Sequence, residues 1–137
     1  MRLQKKLKKF FKTNRQYFSG MVKVYGIPNC DTVKKALAWL KENHYDLEFH
    51  DFKKEGITPD KLQDWVNSSS LEKVLNKKST SYKNLSVEDQ QKTAFTNDAI
   101  KLMERNTNLI KRPVVEFAGI ILHGFNEPAF KNAFGKK

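Results

Sequence analysis

Cys30 is the only cysteine among the 137 residues, and its placement suggests chemistry. It follows a short apolar, β-prone stretch and precedes a segment with helical periodicity. The first N–H groups of a helix lack partners within the helix and, together with the helix dipole, favour negative charge. A thiol at such a place is more easily converted to the thiolate, which is the nucleophilic form. Cys30 is therefore predicted to be a reactive residue.

The competing interpretation is that Cys30 is a small buried apolar residue, because free cysteine is often buried. Its neighbours favour a loop–helix junction instead, since they are polar or turn-forming: Pro28, Asn29, Asp31 and Thr32. Two lysines one turn later add positive potential, whereas the adjacent Asp31 carboxylate opposes ionisation of the thiol. We expect the environment to favour the thiolate moderately.

The second candidate is the segment Lys111-Arg112-Pro113, which directly precedes another β-prone stretch. A proline at the start of a strand can hold a cis peptide bond. The planar guanidinium of an arginine offers paired donors to an anion or a carboxylate. An exposed loop arginine beside a trans proline is the commoner arrangement, and periodicity alone does not decide between the two.

Other chemistries find little support in the sequence. A metal site is not predicted, because there is no second cysteine and the three histidines, His44, His50 and His123, lack ligand spacing. They are predicted to be ordinary surface or sheet residues. A nucleophile elbow and a phosphate-binding glycine loop are both missing.

The elements that must position Cys30 follow from the apolar spacing. Residues 21–25 predict a buried strand. A helix is predicted next by apolar residues at i, i+3, i+4 and i+7: Val33, Ala36, Leu37 and Leu40. Residues 45–50 alternate between apolar and polar, which is typical of a strand. This order indicates a βαβ unit with parallel strands.

The middle of the chain is predicted to be helical. Thr58 and Pro59 have the types expected for a helix cap and the first helical residue. Further helices are predicted around residues 71–75, after Ser86 and from Thr96. These helices form a predicted insertion over about residues 58–107.

The end of the chain returns to strands. Residues 113–117 and 120–122 flank Ala118-Gly119 and predict a hairpin, and Asn126 is predicted to cap a last helix. The whole order is β-α-β, several helices, then β-β-α. The predicted fold class is therefore α/β, with helices packed on a mixed sheet.

Charge is distributed unevenly along the chain. Of the 26 basic residues, seven lie in residues 1–20, which contain no acidic residue. The other 19 basic residues and all 15 acidic residues lie in residues 21–137, which leaves a surplus of four positive charges there. Residues 1–20 are predicted to be a disordered extension before a domain over 21–137, with a membrane-surface helix or a targeting peptide as the alternatives. The mildly basic domain is not predicted to bind nucleic acid directly. No apolar run is long enough for a membrane span, and the absence of a secretory signal predicts a cytoplasmic protein.

Two segments carry a family resemblance when they are read together: Tyr25-Gly26-Ile27-Pro28-Asn29-Cys30-Asp31-Thr32-Val33-Lys34-Lys35-Ala36 and Ile110-Lys111-Arg112-Pro113-Val114-Val115. They resemble the arsenate-reductase-like (ArsC/Spx) family, and the fit is best to its YffB-like branch of small thiol reductases. The resemblance runs over residues 21–137. It implies a thioredoxin-like fold with a helical insertion.

The resemblance also implies roles for individual residues. Cys30 would be the catalytic nucleophile, and Pro113 would be a cis-proline that faces it. Arg112 would lie near Cys30 and bind an oxyanion or a thiol substrate. Substrate contacts are further expected from the residues that flank the cysteine: Asn29, Asp31 and Thr32.

The implied activity is that of an oxidoreductase, a glutathione-dependent thiol reductase that forms a mixed disulfide on Cys30. Glutathione would be the co-substrate, no cofactor would be bound, and glutaredoxin is a further candidate partner. The arsenate reductases of the family hold the oxyanion with several arginines, but this chain has Asn76 and His123-Gly124 at two of those places. A cradle with Arg112 alone makes arsenate reduction the weaker alternative.

The other alternative is an Spx-like regulator that binds RNA polymerase. Those regulators sense oxidation through a C-x-x-C pair, whereas the third residue after Cys30 here is Val33. An internal disulfide switch is therefore not possible. A surface that binds polymerase does not require a cysteine, and the alternative stays open. The natural substrate and the oligomeric state are not predicted.

Overall fold

A computed structural model describes residues 21–135 of the chain. The predicted extension over residues 1–20 lies outside the described residues. The elements follow in this order: β1 (Val22–Gly26), α1 (Asp31–Glu42), β2 (Leu47–Asp51), α2 (Phe52–Glu55), α3 (Pro59–Ser68), α4 (Leu71–Val74), α5 (Thr80–Lys83), α6 (Val87–Lys92), α7 (Thr96–Arg105), a 3-10 turn (Thr107–Leu109), β3 (Val114–Phe117), β4 (Ile120–His123) and α8 (Glu127–Ala133).

The predicted mixed sheet is present. Its strand order is β2-β1-β3-β4. Strand β1 pairs parallel with β2 and antiparallel with β3, and β3 pairs antiparallel with β4. Because β1 and β2 are parallel neighbours, the chain must cross over between them, and α1 makes that crossover.

The two faces of the sheet carry two apolar cores, because successive strand residues point to opposite sides. Val24 and Val115 face α1 and α8 and pack with Trp39, Leu40 and Phe130. The opposite face packs against the helices between β2 and β3 through these buried residues: Tyr25, Leu62, Trp65, Met103 and Val114. The sheet is thus the middle of three layers.

Helix caps account for most of the predicted starts in the helical middle. The hydroxyl of Thr58 accepts a hydrogen bond from the Lys61 amide, and Pro59 is the first residue of α3. Ser86 caps α6 in the same way, and Asn126 caps α8. A side-chain acceptor there satisfies one of the orphan amides at the helix start.

Two details differ from the sequence prediction. Strand β1 begins and ends one residue later than predicted, whereas β2 begins two residues later and ends one residue later. Helices α2 and α5 were not predicted, because four residues are too few to show a helical period. Asp51 caps α2 by accepting from the Lys53 amide, and Ser79 caps α5 by accepting from the Tyr82 amide. None of the helices in residues 21–135 has the length and apolar character required to cross a bilayer.

Candidate functional site

Cys30 is the N-cap residue of α1, a helix of twelve residues. Its backbone is extended, with φ −148° and ψ 120°, and its carbonyl accepts the first helical hydrogen bond from the Lys34 amide at 2.9 Å. The thiol caps no amide of the helix, and it has no hydrogen-bond partner within residues 21–135. The side chain is half-buried and packs against the core formed with Tyr25 and Val114. A half-buried sulfur at a helix start lies close to backbone amides that lack hydrogen-bond partners within the helix, and it remains accessible to another molecule.

A close approach between β1 and α1 sets the position of this helix start. Gly26 ends β1, and a Cβ atom placed on it would lie 2.8 Å from Cγ2 of Val33, inside van der Waals contact. Val33 is fully buried in the first turn of α1. The missing side chain at Gly26 therefore lets α1 begin directly against the end of the strand, with Cys30 between them.

We expect the Gly26→Ala variant to lose about 1–3 kcal/mol of unfolding free energy, because a β-branched, buried side chain cannot rotate away from the added methyl group. Urea denaturation monitored by circular dichroism measures the loss. The double variant Gly26→Ala/Val33→Ala is the control, since the smaller residue 33 removes the contact. A double variant that loses the full sum of the two single effects would contradict this explanation.

The sheet register brings the two predicted site segments to one edge. Tyr25 of β1 pairs with Val114 of β3, and Val114 pairs with His123 of β4. Beyond this row, β1 continues into the Cys30 loop, whereas β3 is preceded by Arg112 and Pro113. The antiparallel pairing of β1 and β3 is what places the end of one beside the start of the other.

The Arg112–Pro113 peptide bond is cis, as the family resemblance implies. Pro113 is buried, and its carbonyl accepts from the Gly124 amide at 2.8 Å. The guanidinium of Arg112 is half-buried, and Nη1 donates to Oδ1 of Asn108 at 3.1 Å. Nε is buried and has no hydrogen-bond partner within the described residues. Arg112 thus shares an edge with Cys30 but is oriented by Asn108, with no bond to the sulfur.

The remaining predicted site residues lie around the start of α1. Asn29 and Asp31 are exposed, and Thr32 is half-buried. The helical middle reaches the same edge through Leu75, which bridges to Ile110, and through Asn76, whose amide donates to the Leu109 carbonyl at 2.8 Å. The structure therefore brings the Cys30, Arg112 and Asn76 segments together.

His123 is a sheet residue, at the end of β4, but the sequence did not predict the contacts of its ring. Its Nε2 lies 2.9 Å from Oγ of Ser69, and its Nδ1 is buried without a partner in the described chain. Burial, and then the charges of Lys73 and Lys111, lower the pKa of His123 to about 4. The predicted hairpin register could have placed His123 opposite Val114, but no local pattern connects it to Ser69, 54 residues earlier.

This low pKa makes the folding stability depend on pH. Histidine in an unfolded chain titrates near 6.5. Between about pH 4 and 6.5, His123 therefore binds a proton in the unfolded chain but not in the folded one. The His123 contribution to stability is complete above pH 6.5 and decreases on acidification. We expect roughly 1–2 kcal/mol between these limits, discounted for the partial exposure of the ring. Urea denaturation against pH should show a shallower slope for His123→Asn; an identical slope would contradict the assignment.

Two clefts in residues 21–135 differ in their position relative to the cysteine loop. A cleft of about 420 Å³ touches the cysteine loop at Pro28 and is lined by Leu37, Phe49 and Asp51, among others. A larger one of about 510 Å³ lies at the other end of the sheet, beside the β3–β4 turn. Because chemistry depends on the reactive groups and not on which cleft is larger, we place the candidate site at the end of the sheet that carries Cys30. The described residues contain no cluster of three or more His, Cys, Asp and Glu side chains that could hold a metal ion.

Known proteins are similar to this chain over most of its length. The family model described as "ArsC family" matches residues 25–133. A protein of Haemophilus influenzae, itself uncharacterized, is 37% identical over 115 residues, which cover 83% of this chain and 99% of that protein. A relative from Streptococcus pyogenes serotype M3, named global transcriptional regulator Spx, is 26% identical over 78% of this chain and 80% of its own length.

Solved structures resemble the chain along nearly their whole length. A protein named YFFB has a TM-score of 0.77 and 36% identity, over 83% of this chain and 99% of that one. An arsenate reductase (ArsC) related protein from Brucella melitensis has a TM-score of 0.66 and 34% identity, over 85% of this chain and 96% of that one.

Proposed function

Since the chain belongs to the ArsC family, with the thioredoxin-like fold of that family, we propose that it is a glutathione-dependent thiol reductase that acts through a mixed disulfide on Cys30. The observation that carries the proposal is the placement of Cys30. It is the N-cap of a long helix, it is half-buried, its thiol is unpaired among the described residues, and it shares a sheet edge with Pro113.

The chemistry follows from a single sulfur. The Cys30 thiolate attacks the glutathionyl sulfur of a glutathionylated substrate. The substrate thiolate leaves, and a Cys30–glutathione disulfide forms. Cys30 is the only cysteine in the chain, so no internal thiol can resolve this bond. A glutathione thiolate then attacks the glutathionyl sulfur, which yields oxidised glutathione and restores the Cys30 thiolate. One free glutathione is thus consumed per cycle: it leaves joined to the glutathionyl group of the substrate as oxidised glutathione, and the substrate is released as a thiol.

The protein stabilises this cycle in two ways. The orphan amides of α1 favour negative charge on the sulfur, both before attack and when Cys30 leaves in the second step. Arg112 offers donors to a carboxylate or carbonyl of the glutathionyl group. Asn29, Asp31 and Thr32 flank the sulfur and are proposed to contact the same group.

The proposal is tested by the rate at which Cys30 exchanges with oxidised glutathione. Intact mass should show one glutathionyl adduct at neutral pH, and reduced glutathione should remove it. We expect folded protein to form the adduct about tenfold faster than the same chain unfolded in urea, because only the fold supplies the helix start. Equal or slower reaction of the folded protein would overturn the proposal.

Arsenate reduction is the weaker candidate, although one structural neighbour is described as an arsenate reductase (ArsC) related protein and another as a possible arsenate reductase. The edge offers one guanidinium, a neutral His123 and the uncharged Asn76, and the ammonium groups of Lys73 and Lys111 add charge there without the paired donors of an arginine. A missing charge-assisted hydrogen bond is worth roughly 1.5–3 kcal/mol, so this edge binds a multiply charged oxyanion poorly. Arsenate turnover with glutathione and glutaredoxin that depends on Arg112 would reverse this ranking.

A regulator is the second candidate, and the relatives named Spx are the observation that favours it. Val33 stands where a second cysteine would be needed for an internal switch, and it is fully buried. The proposed partner under this alternative is RNA polymerase. Copurification of polymerase subunits should then survive Cys30→Ser; a pull-down with no polymerase above background would remove this candidate.

A further inference from the structure

The outer edge of β4 carries backbone groups that the rest of the described chain leaves unpaired. β4 is the last strand of the sheet, and β3 is its only partner strand in residues 21–135. The Gly124 amide donates to the Pro113 carbonyl at 2.8 Å, so these residues form a hydrogen-bonded pair. Such pairs alternate with non-hydrogen-bonded pairs along an antiparallel ladder. The amides and carbonyls of His123 and Ile121 therefore point away from β3, and no backbone bond from another described element reaches them.

This edge lacks the features that keep open sheet edges apart. Natural sheets protect such edges with charged side chains, prolines or bulges. The opposite edge strand, β2, has charged residues in Glu48 and Asp51. β4 has three apolar residues and His123, and its pairing with β3 contains no bulge. Ile120 is 38% exposed and Leu122 is half-buried. Because burial lowers the pKa of His123 to about 4, the whole strand is uncharged at neutral pH.

The unpaired groups of β4 are arranged symmetrically, because they belong to the residues on either side of Leu122. When a second β4 lies antiparallel with the two Leu122 residues opposite each other, Ile121 of each strand pairs with His123 of the other. Each pair exchanges two N–H···O bonds, so every outward amide and carbonyl gains a partner. The strand is therefore complementary to its own copy, which is the requirement for a two-fold interface.

The space beside β4 is open on the side of α3. A cleft of about 510 Å³ separates Ile120 and Ile121 from Asp64 and Asn67 of that helix. An incoming strand thus meets no covering helix there. The contact also has no like charges within the two strands, because neither strand carries a charge. These observations favour a second copy of the chain as the occupant of the edge.

We propose that two copies of the protein associate through β4, antiparallel about Leu122, and join their sheets into one sheet of eight strands. His123 lies at the Cys30 end of β4, so the antiparallel contact directs the two Cys30 loops to opposite ends of the joined sheet. The two thiol sites stay separate, and this inference goes beyond the proposed function. Edges of four residues bury less area than stable dimers require, and we expect a dissociation constant of about 100 μM.

Sedimentation equilibrium of the full chain tests the association. The charge of +11 on each copy opposes it, so the experiment uses about 0.3 M salt to screen that repulsion. The average mass should rise from 16.0 kDa toward twice this value between about 10 μM and 1 mM. Protein that remains a monomer at the upper concentration would overturn the inference.

Charge variants test the register. Leu122→Lys places like charges directly opposite each other, and we expect it to weaken association at least about tenfold. An equal mixture of Leu122→Lys and Leu122→Glu should restore it. Leu47→Lys is the matched control, because Leu47 is half-buried on the other edge strand and packs against the same core. Equal weakening by the two lysine variants, or a mixture that does not associate, would overturn the inference.

Amide hydrogen exchange of the wild type keeps the test decisive if the variants do not fold. The Ile121 and His123 amides should become protected only as the concentration rises, whereas the Leu122 amide, which faces β3, is protected throughout. Exchange that is fast at every concentration, or protection at every concentration, would overturn the inference. The rate of Cys30 glutathionylation should be the same in Leu122→Lys and wild type. Failure of the dimer therefore leaves the proposed function standing.

Discussion

Replacement of Cys30 by serine should reduce glutathione-dependent disulfide reduction to the uncatalysed rate and, at the same time, make the protein more stable. The loss of activity follows because a serine hydroxyl is not ionised at neutral pH and forms no mixed disulfide. The gain in stability follows because Cys30 occupies an N-cap where its side chain caps nothing. Serine is among the preferred N-cap residues, and a new cap is worth about 0.5–1 kcal/mol.

Two variants separate these effects. Cys30→Ser and Cys30→Ala both remove the sulfur and should both be inactive in a coupled assay of glutathione oxidation. Only the serine should raise the midpoint of urea unfolding, since alanine cannot accept a hydrogen bond from the helix amides. An active Cys30→Ser protein would exclude the thiol mechanism. A serine variant no more stable than the alanine variant would show that the helix start is not open to capping.

The second large effect is expected at Glu116, where one carboxylate holds the helical middle to the sheet. Oε2 accepts from Nε1 of Trp65 at 2.7 Å and from Nζ of Lys61 at 3.2 Å, and Oε1 accepts from the Tyr25 hydroxyl at 3.1 Å. Burial by itself raises the pKa of Glu116, but the hydrogen bonds from Trp65 and Lys61 outweigh it and hold the pKa below its usual value. Burial and the same carboxylate raise the pKa of Tyr25, which therefore remains a donor.

We expect Glu116→Ala to lose about 2–4 kcal/mol of unfolding free energy, because the fully buried Trp65 and the buried Tyr25 would keep donors without an acceptor. Chemical denaturation measures the loss. Glu127→Ala is the matched control, since Glu127 forms an exposed pair with Lys131 at 3.7 Å and should change stability by no more than about 0.5 kcal/mol. Equal effects of the two variants would contradict the role of Glu116.

The low pKa of Glu116 sets the direction of its pH dependence. The unfolded glutamate binds a proton at higher pH than the folded one, so the Glu116 contribution is complete above the ordinary glutamate range. It is lost as the pH falls through the folded value. Glu116→Gln should therefore lose less stability relative to wild type as the medium becomes acidic.

The local sequence was sufficient for the elements that carry Cys30. Apolar alternation and helical spacing depend only on near neighbours, and they predicted β1, α1, the hairpin and the caps Thr58, Ser86 and Asn126. The position of Cys30 at the start of α1 follows from the same local rules. The roles of Arg112 and of the residues flanking the cysteine remain predictions, because they are argued from the chemistry of the side chains and not from a contact with a substrate.

What only the tertiary structure decided is how distant segments meet. The antiparallel pairing of β1 and β3 brings Pro113 to the edge that carries Cys30, across more than eighty residues. The contacts of His123 with Ser69, and of Glu116 with Trp65, join strands to a helix that periodicity cannot orient. The reason is that apolar spacing fixes which side of an element is buried, whereas the partner of a single buried polar atom depends on how whole layers pack.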